Sequence, residues 1–263
     1  MTRLLEGKNA IIYGAGGGIG RGVARTFARE GARVFLAGRT RARLQAVSRT
    51  IAEDGGQADV AVVNTVEEEE VLAHAREVAD LAGSLDISWN LTSRGDVQGI
   101  PLIDMTLADF LQPICIGATT NFITARAAAR IMVDQGSGVI LAITSGSSAG
   151  TNPMMGGTGP ADAATEVFLR YLAKEIGPRG VRVVGLWTAG VPETFGLPDD
   201  TNETRRGSGV GAAEIDAMLG PMAMLGHAPR LDQVADAAAF LASDRAGGIT
   251  GTRVNVTCGL VPG

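Results

Sequence analysis

From residue 9 to residue 256, short apolar runs alternate with longer segments of helical spacing, and that alternation leaves few folds open. The runs are "NAIIYG" (9–14), "ARVFLAG" (32–38), "ADVAVV" (58–63), "LDISWN" (85–90), "GVILAIT" (138–144), "VRVVGLW" (181–187) and "TRVNV" (252–256). Most are nearly continuous in apolar residues, as strands covered on both faces are. Segments between them, such as "RARLQAVSRTIAEDG" and "AATEVFLRYLAKEIG", repeat apolar residues at helical spacing. Gly31, Gly55, Gly83, Gly136 and Gly177 stand where those helices should stop. Strand–helix alternation with short connections implies an α/β fold with a doubly wound parallel sheet of about seven strands. At 263 residues the chain suits a single large domain, 1–263, and no repeat or linker divides it. The one long irregular stretch, 190–212, is expected to be a substrate lid.

Partners are bounded by charge and composition. A formal charge of −5 with no block of Lys or Arg argues against nucleic acid. The acidic run Glu67–Glu70 reads as the first turn of a solvated helix. Cys115 and Cys258 form no metal-like spacing, so no metal site is expected, and they suit a reduced compartment. The start, "MTRLLEGKNA", has no apolar core of a signal peptide, and no apolar run reaches membrane-spanning length. A cytoplasmic protein acting on a small molecule is the expectation, with no nucleic acid and no membrane as partner.

"IIYGAGGGIGRGVA" places Gly14, Gly18 and Gly20 directly after the first strand and at the opening of a helix. Glycines there permit a tight turn and let the backbone approach a pyrophosphate, which then meets the positive helix N-terminus. At the first strand–helix turn this marks a Rossmann-type sheet and a dinucleotide. The second strand ends in "AGRTRAR", with Arg39 where an NAD site would carry an acid for the ribose hydroxyls. Arginine suits a 2′-phosphate, so NADP(H) is the expected cofactor. Arg41 and Arg43 read as a solvated helix start.

On these residues the chain resembles the short-chain dehydrogenase/reductase family along almost its whole length. "YGAGGGIG" is similar to the family's T-G-x-x-x-G-I-G, and "LDISWNLTS" stands where it writes D-x-x-x-N-N-A-G. "GVILAITS" matches the strand that ends at its catalytic serine, here Ser145. "LAKEIGPRGVRVVGL" and "VADAAAFLASDRAGGITGTRVNV" are similar to its last helix–strand units. The cofactor site that the resemblance implies comprises Gly14, Gly16, Gly18, Ile19, Gly20, Arg39, Asn64, Thr65, Asn90 and Val191. Asn64 replaces the usual Asp beside the adenine, and Thr188-Ala189 replaces the Pro-Gly that passes the nicotinamide. The family also implies a homodimer or homotetramer built on the helix that carries Tyr171.

The catalytic pattern departs from the family. Its Tyr falls thirteen residues past the serine and its Lys four beyond, which are Thr158 and Asp162 here; its helix Asn falls on Gly117. Tyr171 and Lys174 lie three apart and about 20 Å along the same helix, and read as packing and a solvated charge. His74 and His227 read as surface or structural histidines, with His227 the one able to approach the pocket. A threonine hydroxyl is too weak an acid to serve as Tyr does, so ordinary carbonyl reduction should be slow or absent. Three readings remain. One is an NADP(H) oxidoreductase of imines, iminium ions or activated C=C bonds, with Ser145, Thr158 and Asp162 as catalytic residues. Another is a cofactor-binding but silent subunit or sensor, and the last a non-redox enzyme on the same fold. Beside these stands a purely structural account of "TGPADAA" as a helix start, with Thr158 as N-cap and Asp162 facing the helix dipole.

Overall fold

The computed structural model describes residues 3–150, 152–196 and 211–262. Seven strands form one sheet in the order β3-β2-β1-β4-β5-β6-β7. They are β1 (Asn9–Tyr13), β2 (Arg33–Gly38), β3 (Gln57–Val62), β4 (Ile87–Asn90), β5 (Gly138–Ser145), β6 (Val181–Thr188) and β7 (Thr252–Asn255). Every pairing is parallel, so each connection crosses over the sheet through a helix. Those helices are α1 (Gly18–Arg29), α2 (Arg41–Glu53), α3 (Glu68–Ala82), α4 (Leu107–Gln135), α5 (Thr158–Ile176), α6 (Ala212–Leu219) and α7 (Leu231–Ala242).

Two apolar cores explain why the strands read as unbroken apolar runs. Ile12, Trp89, Leu141 and Val184 point to one face, against Val23 and Phe27 of α1, Leu44 of α2 and Val234 of α7. Ile11, Tyr13, Ile140 and Val183 point to the other, against Val71 of α3, Ala128 of α4 and Leu169 of α5. Alternate residues thus go to opposite faces and both faces are dry.

Gly31, Gly55, Gly83 and Gly136 take left-handed φ values of 96°, 79°, 81° and 75° at the ends of their helices, as expected. Gly177 does not. Its φ is −56°, α5 runs on into a 3₁₀ turn, and the left-handed stop is Gly180 at φ 83°. Pro178 accounts for the displacement, because it is compatible with the start of a new helical turn and withholds only one N–H.

Sheet order places the site. β1 is flanked by β2 on one side and β4 on the other, so the chain changes direction of travel across the sheet at β1. The loops at the C-terminal edge part there and leave a crevice. Of the segment expected as a lid, residues 197–210 lie outside the described residues; 192–194 form a 3₁₀ turn and α6 begins at Ala212.

Candidate active site

The glycine turn between β1 and α1 is packed too closely for side chains. Gly14 has φ 75°, and a Cβ there would run into the carbonyl oxygen of Leu91. One on Gly20 would strike the carbonyl oxygen of Gly14. Gly17 is the N-cap of α1, with no side-chain cap and no acid in the first turn. The first N–H groups and the positive end of α1 therefore face the turn without a partner among the described residues, as an anion site requires. Ile19 packs below it against the α1 core. Arg43 is half-buried, its Cβ 3.0 Å from where a Cβ on Gly16 would stand, which corrects its reading as a solvated helix start. A Cβ on Gly18 would fall 2.6 Å from that of Thr194, so the segment after β6 crosses over the turn.

The other candidate cofactor residues line the same edge. Arg39 follows β2 and is exposed, with no hydrogen bond or ion pair to a described residue. Asn64 follows β3, and its backbone N–H donates to Glu70 Oε2 at 2.8 Å. Thr65 donates to the hydroxyl of Thr92 at 3.2 Å. Asn90 turns its amide into α4, donating to Thr120 at 3.0 Å and Asn121 at 3.3 Å while its oxygen accepts the Thr92 N–H. Its side chain thus braces the loop after β4. Val191 is buried in the core beside α1. An uncapped helix end with a cradle that any Cβ would fill fits a dinucleotide, and an exposed arginine stands at the adenosine side.

Ser145 and Asp162 do come together, and Thr158 stands one turn before Asp162 on α5. Ser145 ends β5, and its hydroxyl donates to Asp162 Oδ2 at 2.5 Å while its N–H donates to the same oxygen at 3.0 Å. The Ser145 oxygen accepts the Ser147 N–H at 3.2 Å. Thr158 accepts from Gln98 Nε2 at 3.2 Å. It is the first residue of α5 and not its N-cap, which is Gly157. Gly157 is pressed against Phe110 and Pro113, where no Cβ fits, so the helix enters one residue earlier than the threonine suggests.

Asp162 is fully buried and does not face the dipole of α5. Its second oxygen takes Nη1 of Arg94 at 2.6 Å, across 68 residues of chain. Arg94 also donates Nε and Nη2 to Asp96 at 3.3 and 2.8 Å. Burial pushes the Asp162 carboxyl above its usual range, against the downward pull of Arg94 and of the Ser145 hydrogen bonds. Nothing local marks Arg94, which lies in the irregular loop after β4. A pairwise signal exists, however. Gly117 stands inside α4 where a Cβ would come 2.8 Å from Cδ of Arg94, so a missing side chain marks the cation's path.

One turn further along α5 lies a second buried acid, Glu166. Its Oε1 accepts from Trp187 Nε1 at 2.5 Å, Ser148 at 2.7 Å and Thr144 at 3.2 Å. Its Oε2 meets Arg253 at 3.3 Å, and that guanidinium lies over the Trp187 ring, 4.1 Å from its centre. The acid ties β5, β6, β7 and the turn after Ser145 to one helix. Sequence reading passed over it, although an acid at helical spacing from Asp162 on an apolar face was a signal.

His74 is buried on α3, edge-on to Tyr13 with ring centres 5.9 Å apart, and burial lowers its pKa to about 4. His227 is half-buried with Nδ1 against the Ala228 carbonyl at 2.8 Å. Tyr171 and Lys174 are both exposed. Among the described residues no cluster of His, Cys, Asp or Glu could hold a metal, and no helix is long and apolar enough to cross a membrane.

A family described as "Enoyl-(Acyl carrier protein) reductase" matches residues 14–261. The 7alpha-hydroxysteroid dehydrogenase of Escherichia coli K12 is 32% identical over 97% of this chain and 94% of its own length. The chain belongs to the short-chain dehydrogenase/reductase family. Tropinone reductase-like 2 of Erythroxylum coca is 31% identical over 97% of this chain and 90% of its own. A solved 7α-hydroxysteroid dehydrogenase, complexed with NADH and 7-oxo glycochenodeoxycholic acid, superposes with a TM-score of 0.82 at 28% identity, covering 98% of this chain and 96% of that one. As a member of the family the chain is of oxidoreductase type, and the single-domain sheet is that of its solved relatives.

Proposed function

We propose that this short-chain dehydrogenase/reductase is an NADP(H)-dependent oxidoreductase whose active site works without a tyrosine acid. It reduces substrates that accept hydride without a proton delivered to oxygen by the enzyme: imines, iminium ions or activated C=C bonds. The observation that carries this reading is the hydrogen bond from Ser145 to Asp162, with Thr158 one turn before Asp162 on α5 and no phenol or lysine among the three. The bound nicotinamide would supply or accept the hydride. Gly14, Gly16, Gly18, Ile19 and Gly20 hold its pyrophosphate against α1, and Arg39 reads the 2′-phosphate. Asn64 and Thr65 line the adenosine side, while Asn90 and Val191 shape the floor toward β4 and β6. Ser145 and Thr158 orient the substrate.

Titration of the purified protein with NADPH and with NADH, followed by nicotinamide fluorescence, tests the cofactor. Tighter NADPH binding is expected, and preference for NADH would remove Arg39 from its role. A screen of a ketone, a cyclic imine and an enone then tests the reaction, with the ketone expected to be the poorest substrate.

A second reading, cofactor binding without turnover, has one observation in its favour. Ser145, Asp162 and Arg94 satisfy one another, leaving the serine no proton to offer. It predicts NADPH binding with no turnover of any of the three compounds. A homodimer or homotetramer is proposed through the outer faces of α4 and α5, where Phe122, Val167 and Tyr171 are exposed.

A further inference from the structure

Arg94 and Gly117 lie so close that a side chain at 117 would require the arginine stem to shift. With a Cβ at 117 only 2.8 Å from Cδ of Arg94, a larger residue on this turn of α4 would drive the arginine from its present path. Arg94 is 17% exposed, at the same edge of the sheet as Ser145. The two side chains share one carboxylate, Arg94 on Oδ1 and Ser145 on Oδ2 of Asp162.

An inventory of donors around Ser145 then singles out Arg94. The serine's only hydroxyl proton is committed to Asp162, and its oxygen already accepts the Ser147 N–H. Thr158 accepts from Gln98, and its neutral hydroxyl is a weaker hydrogen-bond donor to an anion than a guanidinium is. Arg94 commits three N–H groups, one to Asp162 and two to Asp96. A guanidinium has five, so one remains on each terminal nitrogen. Its charge persists at any working pH, so it can hold a developing anion but cannot give up a proton.

We propose that Arg94 is a catalytic residue that hydrogen-bonds the carbonyl oxygen of an α,β-unsaturated carbonyl substrate, admitted to the site by the absent side chain at Gly117. The proposal rests on the reading above that hydride transfer here proceeds without a tyrosine acid. Hydride adds to the β-carbon, and the electron pair of the C=C bond moves to join the α-carbon and the carbonyl carbon. The carbonyl pair moves to oxygen, where Arg94 holds the enolate. The α-carbon takes a proton from water, giving the saturated carbonyl, while the dihydronicotinamide that gave the hydride is oxidised. A plain ketone would instead need a proton on oxygen that a guanidinium cannot provide. An iminium ion would meet a cation, since the Asp162 carboxylate that could have balanced it is paired.

The test uses the full chain with NADPH and 2-cyclohexen-1-one, cyclohexanone and 1-pyrroline. Cyclohexenone is the expected substrate. Arg94→Lys keeps the charge and loses the fork, and Gly117→Asn displaces the guanidinium. Each is expected to lower kcat for cyclohexenone by about 10²-fold, the cost of one oxyanion donor, with NADPH affinity unchanged. Arg94→Gln alone strands two acids, so Arg94→Gln with Asp162→Asn removes the buried pair together and keeps a folded comparison. If that folded double variant retains cyclohexenone reduction within about 3-fold, a loss far below an oxyanion donor's, Arg94 only braces the loop and the proposal falls. Turnover of 1-pyrroline but not cyclohexenone overturns the proposal and leaves the broader reading standing. NADPH binding without reduction of any compound overturns both.

Discussion

Asp162 divides its carboxylate between two partners from neighbouring strands, Arg94 in the loop after β4 at 2.6 Å and Ser145 at the end of β5 at 2.5 Å. One acid, wholly buried, therefore fixes both the serine at the end of β5 and the loop that leaves β4. Asp162→Ala should leave Arg94 with Asp96 but take away its buried partner, and cost about 3 kcal/mol in urea unfolding. Asp162→Asn, which retains an acceptor for Ser145, should cost less. Equal stability of Asp162→Ala and the parent protein would show that Asp96 alone satisfies Arg94.

Acid should weaken the fold through His74. Its folded pKa of about 4 lies below the ordinary 6.5 because burial disfavours the charged ring. The unfolded chain thus binds a proton that the folded chain refuses. The contribution is fully present above pH 6.5, is lost as pH falls from there toward 4, and levels off below. Full loss amounts to about 3 kcal/mol. Urea midpoints measured from pH 4 to pH 8 should show a limb that His74→Leu flattens.

Arg39 is exposed and has no partner among the described residues, so its removal should leave the fold intact. Arg39→Ala is expected to weaken NADPH binding by about 10- to 100-fold, the worth of a charged hydrogen bond, and to leave NADH nearly unaffected. Calorimetric titration with the two nucleotides reads the difference directly. A parallel loss for both would place Arg39 away from the 2′-phosphate.

Glu166 gives a structural signature that fluorescence can follow. Glu166→Ala leaves the Trp187 indole N–H, the Ser148 and Thr144 hydroxyls and Arg253 without their shared acceptor. A loss of about 3–5 kcal/mol is expected, together with altered Trp187 emission in the folded state. Unchanged emission would mean that the indole holds its place by packing alone.

Much of the fold was legible because each strand is buried on both faces, so its apolar run had clear edges. The glycine turn was legible because its close contacts are local. Sequence placed Ser145, Thr158 and Asp162 together because one strand and the next helix carry them. Arg94 escaped because its partner is 68 residues away and its own loop has no period. The account of Thr158 as an N-cap failed for a related reason. Contact with Phe110 and Pro113, remote in sequence, selects Gly157 for that position. Pro178 acts locally instead, adding a 3₁₀ turn after α5 where Gly177 alone would have ended the helical run.

The Gly117–Arg94–Asp162 contact also constrains the order in which such a site can be assembled by single substitutions. Asp162 without Arg94 is a lone buried acid, whose cost of several kcal/mol rivals the whole margin of a stable domain. Arg94 would have to leave its present path if position 117 carried a side chain, whose Cβ would stand 2.8 Å from its Cδ. The passable route empties 117 first, brings the arginine in against Asp96 second, and adds the aspartate last. No buried charge stands alone along that route, whereas removing Arg94 first from the final state would strand Asp162.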